Sequence, residues 1–154
     1  HIGMVSYQLH LEYLYHCDST VAEVIVSGFH DSIGLYEAVG DLERRTARQW
    51  LDVLGLADRA DRTFTTLSYG EQRAVLIARA VVKQPSLLIL DEPCHGLDLE
   101  HRRHALAIAE HIGRHTGTTI LYVTHDPAEY LPCLRRVLEC GTNGLWRESD
   151  FVPN

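Results

Sequence analysis

The chain has 154 residues, of which 45% are hydrophobic and 23% charged, and its formal net charge is −7 at pH 7. This length and hydrophobic content suffice for the core of about one domain. The acidic balance lacks the basic excess typical of nucleic-acid binders, so we expect no nucleic-acid partner.

The first residues predict a strand that ends in a loop. Ile2 to Val5 form a short apolar run, and the polar Ser6, Tyr7 and Gln8 follow it. Position 1 is a histidine and no leading polar tail precedes the run. We therefore expect the chain to be part of a longer protein.

Residues 20–83 show a helical pattern. Gly28, Gly34 and Gly40 divide it, which favours a small helical subdomain with irregular joints, over about residues 15–84. One amphipathic helix ends at Gly55, a residue that tolerates positive φ at a helix terminus. Its apolar residues at helical spacing are Leu42, Ala47, Trp50, Leu51 and Leu54.

After Pro85 the pattern changes to that of an α/β sheet, over residues 85–154. Residues 87–90 are uniformly apolar and lead into Asp91, as expected of a parallel strand covered on both faces. Asp98 is placed to cap a helix over residues 99–114, and residues 118–124 predict the next strand, which completes a βαβ unit. Further strands are predicted over residues 136–140 and 145–147.

Four short motifs follow one another in a fixed order. They are Leu67-Ser68-Tyr69-Gly70-Glu71-Gln72, Leu87-Leu88-Ile89-Leu90-Asp91-Glu92-Pro93, Gly96-Leu97-Asp98 and Val123-Thr124-His125-Asp126. In this order they resemble the signature motif, Walker B motif, D-loop and switch histidine of ATP-binding-cassette (ABC) ATPases. The resemblance covers nearly the whole chain. It implies one partial ABC ATPase domain over residues 1–154, of class α/β: a partial P-loop NTPase (RecA-like) parallel sheet with the ABC helical subdomain, lacking the phosphate-loop strand.

The signature segment predicts an anion site by its own chemistry. Ser68 and Glu71 form the S-x-x-E pattern of a capping box, which leaves free N–H groups and a positive dipole end at the start of a helix. A purely structural cap explains the same two residues. The resemblance implies that this segment contacts ATP held by the opposite subunit. The ATP-binding residues would then be Leu67, Ser68, Tyr69, Gly70, Glu71 and Asp98.

Two adjacent carboxylates and a histidine carry the predicted chemistry. Asp91 ends a buried strand, where a carboxylate needs a cation, and magnesium is the obvious one. The resemblance implies that Glu92 is the base for the attacking water and His125 the switch histidine at the γ-phosphate. Gln8 is assigned as a second magnesium contact, as the family's Q-loop glutamine.

The chain departs from the family at three places. No G-x-x-x-x-G-K-[ST] phosphate-binding loop occurs in it, and in the family that loop lies upstream of the position of His1. Tyr7 stands where the Q-loop glutamine is expected, with Gln8 one residue late. Tyr69 replaces a small residue of the signature. We therefore expect a fragment of an ATPase, inactive alone, with a degenerate ATPase as the alternative.

Tyr69, together with the segments at residues 31–39, 48–56 and 87–93, resembles the second cassette of tandem ABC proteins associated with molybdate uptake. This resemblance implies an ATP- and magnesium-dependent importer subunit, paired with a second cassette and possibly with a membrane permease. The helical subdomain, with Phe29 and Tyr36, would be the surface offered to that permease. Free cysteines and the absence of a signal peptide or membrane span favour a cytoplasmic protein, possibly peripheral on the inner face of the membrane.

Two other functions remain open. The first is a soluble tandem ABC ATPase without a permease. The second is a non-hydrolysing interaction or metal-binding module built on the histidines of the helix over residues 99–114 and just beyond it. These are His101, His104, His111 and His115. No cysteine or carboxylate completes a tetrahedral set with them, which favours a solvated helix face.

Overall fold

The computed structural model describes residues 1–34, 38–141 and 144–151. The strands are β1 (Ile2–Val5), β2 (Leu87–Asp91), β3 (Thr119–Val123), β4 (Arg136–Cys140) and β5 (Trp146–Asp150). The α-helices are α1 (Tyr7–His16), α2 (Val21–Ser27), α3 (Asp41–Leu54), α4 (Tyr69–Val81) and α5 (Leu99–His115). Single 3₁₀ turns span Ala57–Arg59, Phe64–Thr66 and Pro127–Glu129. Within these ranges no helix is long and apolar enough to cross a membrane.

A parallel sheet in the order β1-β2-β3 forms the α/β part of the chain. Strand β2, apolar up to Asp91 at its end, takes the central place, where Ile89 lies between Met4 of β1 and Leu121 of β3. Helix α5 makes the crossover from β2 to β3, so the predicted βαβ unit is confirmed. The parallel ladder places the carboxyl ends of β2 and β3 side by side.

Only one face of this sheet is fully buried. Val5, Leu88 and Leu90 are fully buried. On the opposite face the apolar side chains of β1 and β3 remain largely exposed, while Leu87 and Ile89 of β2 are half-buried. The prediction that β2 is covered on both faces is therefore confirmed in full for one face only. The exposed fractions are 65% for Ile2, 46% for Met4, 51% for Leu121 and 43% for Val123.

The helical region differs from its prediction at the start. The chain turns into α1 directly after β1, because the Ser6 hydroxyl caps that helix by accepting from the Leu9 N–H at 3.2 Å. Residues 6–8 were expected in a loop. The buried residues of α1 are His10 and Tyr13. Because both side chains carry polar groups, the sequence of this helix shows little hydrophobic periodicity.

The predicted amphipathic helix is confirmed as α3, with Gly55 in the left-handed conformation at φ +68. Leu42 does not belong to its buried face, since it is 72% exposed in the first turn. Phe29 was expected to be exposed, but it is half-buried and packs against the core. Tyr36 lies outside the described residues.

Strands β4 and β5 form a separate antiparallel pair. The prediction of two strands is confirmed, although β5 begins one residue later and runs to Asp150. An open cleft of about 1010 Å³ lies between this pair and β3, and Leu121, Val123 and Trp146 are among its lining residues.

Gly3 allows helix α4 to approach the sheet closely. A Cβ at this position would lie 2.2 Å from the backbone oxygen of Ala80. Gly3→Ala is therefore expected to destabilise the protein by about 1–3 kcal/mol, the usual cost of overpacking. Urea denaturation measures it, with Gly117→Ala as the control because no atom lies within 4 Å of its Cβ position. Equal unfolding midpoints for the two variants would contradict the close packing.

Candidate functional site

The adjoining ends of β2 and β3 bring Glu92 and His125 together. The Glu92 N–H donates to the Val123 carbonyl at 2.9 Å, which fixes the turn after β2 to the end of β3. Glu92 has a φ of +48, a conformation that a residue with a Cβ adopts at some cost and that is concentrated at functional sites. Its Oε1 lies 2.7 Å from His125 Nδ1.

This contact favours the protonated form of His125. The hydrogen bond that the Glu92 carboxylate accepts from the ring, followed by the negative charge of Glu92, raises the pKa of His125 above its ordinary value, while the ring itself stays exposed. The imidazolium therefore gains more from the contact than the neutral ring does. Because the folded pKa is raised, the stabilisation is complete below the unfolded pKa and is lost as the pH rises through the folded pKa.

The pKa of His125 gives a direct test of the pair. In Glu92→Gln it should fall toward about 6.5, the value of an unperturbed histidine. An NMR titration of the histidine ring protons measures the shift. Glu139→Gln on β4 is the control, since Glu139 is exposed and makes no contact with His125. An unchanged His125 pKa in Glu92→Gln would show that the two side chains do not interact in solution.

The loop that carries His125 is held by residues that the sequence did not reveal. Glu129 is buried, and its Oε2 accepts from the Thr124 hydroxyl at 2.8 Å. Arg102 on α5 donates to Asp126 at 3.0 Å and lies 3.8 Å from Glu129. Asp126 beside a proline signalled a turn, but nothing in the sequence paired it with Arg102.

The capping box at the start of α4 is confirmed. The Glu71 N–H donates to the Ser68 hydroxyl at 3.3 Å, and the Ser68 N–H donates to Glu71 Oε2 at 2.9 Å. Arg59, which was not predicted, donates to the other oxygen of Glu71. Burial alone would raise the pKa of Glu71, but the bonds from Ser68 and the charge of Arg59 outweigh it and hold that pKa below its ordinary value.

The start of α5 lies against the start of α4. Asp98 accepts from the His101 N–H at 2.9 Å, which lowers the pKa of its carboxyl, and from His101 Nδ1 at 2.8 Å. A Cβ on Gly70 would lie 2.1 Å from the His101 ring, so only glycine fits there without movement of the ring. Asp98 and the helix start at Ser68 thus share one surface.

The remaining predicted ATP-binding residues face inward. Leu67 is buried and anchors the segment, with its carbonyl accepting from the Gln72 amide at 3.1 Å. Tyr69 is half-buried, and its ring stacks on His10 of α1. Of the predicted nucleotide contacts, Ser68 at the start of α4 and Asp98 at the start of α5 present exposed side chains.

Asp91 fits a magnesium site better than Gln8 does. Asp91 is half-buried at the end of β2, next to Glu92. Magnesium is usually held by one or two carboxylates together with water and phosphate oxygens, so a single carboxylate here is a suitable donor. Gln8 is exposed on α1 and donates to Glu12 at 3.2 Å. Gln8 thus lies on a helix where a loop was expected, and no hydrogen bond among the described residues joins it to Asp91.

The histidines of α5 do not form a metal cluster with other residues. In the described part of the chain, no group of three or more His, Cys, Asp or Glu side chains could hold a metal ion. His111 and His115 approach one another, with ring centroids 4.6 Å apart, on the exposed face of the helix.

The structure thus separates the predicted residues into two groups. One group, Asp91, Glu92 and His125, lies at the carboxyl edge of the sheet, and the other, Ser68, Gly70 and Asp98, lies at the adjoining helix starts. No hydrogen bond between described residues joins the two groups. Each group can therefore face a different ligand or a different face of one ligand.

Sequence comparison finds relatives over almost the whole chain. The protein is 44% identical over 149 residues to the ABC transporter ATP-binding protein ModF of Escherichia coli, covering 96% of this chain and 30% of that protein. It is 42% identical over 117 residues to the aliphatic sulfonates import ATP-binding protein SsuB of Pseudomonas putida, covering 75% of this chain and 43% of that protein. The chain thus spans less than half the length of either relative.

Structure comparison gives the same fold. An inward-facing, putative metal-chelate type ABC transporter superposes with a TM-score of 0.78 at 25% identity, covering 97% of this chain and 58% of that one. A dimeric ATP-binding cassette in a post-hydrolysis state, bound to ADP and Pi, gives 0.73 at 24% identity, covering 99% and 64%. The family model described as "ABC transporter" matches residues 1–95. The four motifs, the parallel sheet and these relatives together show that the chain belongs to the ABC transporter family and corresponds to the ATP-binding domain of that family.

Proposed function

We propose that this chain supplies the catalytic carboxylate, the switch histidine and the signature helix of an ATP-hydrolysing cassette. The observation that carries the proposal is the 2.7 Å contact between Glu92 and His125 at the carboxyl edge of the sheet. In open α/β sheets, ligands bind at that edge. No hydrogen bond between described residues joins this site to the signature helix start, and such a separation suits a pair of cassettes in which each cassette supplies one part of each nucleotide site.

In this mechanism Glu92 orients and deprotonates the water that attacks the γ-phosphate. The positive φ of Glu92 and its backbone bond to Val123 hold the carboxylate at the end of the sheet. His125 Nδ1 donates to the Glu92 carboxylate, and the other ring nitrogen of His125 contacts the γ-phosphate. Asp91 would hold a magnesium ion, which neutralises phosphate charge when bound. Ser68 and the free N–H groups of α4 face the phosphate on the second cassette.

The uncovered face of the sheet supports a further part of the proposal. Ile2, Met4, Leu121 and Val123 form an apolar surface beside an unpaired edge at β3. We propose that, in the full-length protein, the phosphate-binding loop joins a strand that pairs with β3 to a helix that covers this face. Such a segment would place its phosphate cradle at the carboxyl edge, next to Asp91 and Glu92.

The 154-residue chain by itself is accordingly expected to hydrolyse no ATP and to self-associate through the open edge. A full-length protein that contains it is expected to release phosphate from ATP. Phosphate release and light scattering measure the two properties, with Glu92→Ala of each as the background control. Turnover by the 154-residue chain above its Glu92→Ala control, or a stable monomer, would contradict this arrangement.

The substrate and partners of the full-length protein follow the subfamily resemblance. We propose a second cassette and a membrane permease as partners and an anion of the molybdate type as cargo, with the subunit held at the cytoplasmic face. SsuB is named for aliphatic sulfonates, so oxyanions of sulfur are the nearest alternative cargo. Uptake of molybdate and of a sulfonate, each compared between cells that contain the full-length protein and cells that lack it, distinguishes the two: the cargo is the anion whose uptake is lost with the protein.

A further inference from the structure

The Tyr69 side chain, at the start of α4, lies against helix α1 and beside the turn between β2 and α5. It stacks on His10 of α1, with centroids 4.5 Å apart and planes 11° from parallel. Its hydroxyl accepts from Arg73 of α4 at 2.8 Å. A Cβ on Gly96, in the turn between β2 and α5, would lie 3.4 Å from its Cε1. One side chain therefore joins the signature helix, the first helix and the turn after Glu92.

The His10 side of this contact is fixed by a second bond to α4. His10 is fully buried, and its Nε2 lies 2.9 Å from the Gln72 side-chain oxygen. Because the Gln72 amide nitrogen donates to the Leu67 carbonyl, its oxygen is the acceptor and His10 Nε2 carries the hydrogen. Burial lowers the pKa of His10, so a neutral imidazole stacks on the tyrosine.

The hydroxyl of Tyr69 helps to accommodate a buried cation. Arg73 is fully buried and forms no ion pair among the described residues. Its guanidinium donates to the Ser6 carbonyl at 3.2 Å and lies 5.5 Å from the Tyr69 ring centroid. A buried charge without a carboxylate depends on such dipoles and rings. A small residue at position 69 would remove two of these partners at once.

A second aromatic contact runs in parallel with the first. Tyr7, one turn before His10 on α1, meets His95 edge to face at 5.6 Å. His95 lies next to Gly96 in the same turn, where its N–H donates to the Glu92 carbonyl at 3.1 Å. Helix α1 thus contacts the turn after Glu92 directly through Tyr7 and indirectly through His10 and Tyr69.

We propose that Tyr69 is a positioning residue that ties the Ser68 helix start and the turn after Glu92 to helix α1, so that the three move as one unit during closure on nucleotide. The proposal rests on the proposed function for its consequence in hydrolysis. The tie itself is a property of the packing and can be tested without turnover.

The first test is the turnover of the full-length protein. Tyr69→Ala should lower kcat about 10- to 100-fold, since small displacements of positioned groups have effects of this size, and should change KM for ATP much less. Tyr69→Phe keeps the ring stacked on His10 and loses only the hydroxyl, so its kcat should lie between that of Tyr69→Ala and that of the unchanged protein. His10→Ala should resemble Tyr69→Ala, and the double variant should be no worse than either, as for residues in one contact. Tyr15→Ala is the control, because Tyr15 is also on α1 but 76% exposed.

The second test is hydrogen exchange, which does not depend on ATP hydrolysis. In Tyr69→Ala, the His95 and Leu97 amides in the turn should exchange faster, while the amides of β4 and β5 stay unchanged as an internal reference. If the unchanged protein hydrolyses no ATP but this exchange effect is present, the proposed function is wrong and the tie stands. If Tyr69→Ala keeps its kcat and its exchange pattern and only melts at a lower temperature, Tyr69 is a packing residue and the inference is overturned.

Discussion

Replacing Glu92 with glutamine in a full-length protein that contains this chain is expected to stop ATP hydrolysis and to retain bound ATP. Glutamine keeps the size of the side chain and can still hold a water molecule, but it accepts no proton. Removing a well-placed general base lowers the rate by about 10²- to 10⁴-fold. Single-turnover phosphate release and the retention of labelled ATP after gel filtration measure the two effects together.

Asp91→Asn provides the comparison for this variant. Asp91 lies next to Glu92 but ends the strand on the side proposed for magnesium. The loss of its carboxylate should therefore weaken the binding of the metal ion and of the nucleotide together. Glu92→Gln should retain ATP where Asp91→Asn releases it. If Glu92→Gln turned over normally, or lost ATP as readily as Asp91→Asn, the roles of the two carboxylates would be assigned wrongly.

Features set by neighbouring residues were predictable from the sequence. The capping box at Ser68 needs only a hydroxyl and a carboxylate three residues apart, and the stop of α3 at Gly55 needs only a residue that adopts positive φ. The β2–α5–β3 unit follows from a continuous apolar run, an N-cap and a second run. The order of the four motifs placed Glu92 and His125 together, because the ends of adjacent parallel strands meet.

Features set by distant residues were not predictable. The placement of α1 depends on His10 and Tyr13 being satisfied by Gln72 and Ser27, partners that no local pattern indicates. The support of the His125 loop by Arg102 and Glu129 likewise joins residues far apart in the chain. The inward turn of Tyr69 was not foreseen either, since a signature residue was expected to face the nucleotide. In each case a polar or aromatic group is buried by a specific partner rather than by a periodic pattern.

Ser68→Arg in the full-length protein is expected to abolish hydrolysis while ATP binding changes little. The Ser68 side chain is exposed at the start of α4. In the proposed arrangement, the free N–H groups of this helix meet the ligand. Losing the cap costs about 1 kcal/mol of stability, too little to unfold the protein. The larger effect is on closure: a long cationic side chain keeps the helix start from the phosphate. A displacement of only about 1 Å can lower a rate by about 10²-fold.

The control for this variant is Gln49→Arg, which adds the same charge at an exposed position on α3. It should bind and hydrolyse ATP normally. Equilibrium binding of a fluorescent ATP analogue and steady-state phosphate release separate the two steps. In the proposed arrangement Ser68 acts on nucleotide held mainly by the second cassette, so binding should survive where hydrolysis does not. If Ser68→Arg reduced binding and hydrolysis equally, the helix start would belong to the same nucleotide site as Asp91 and Glu92.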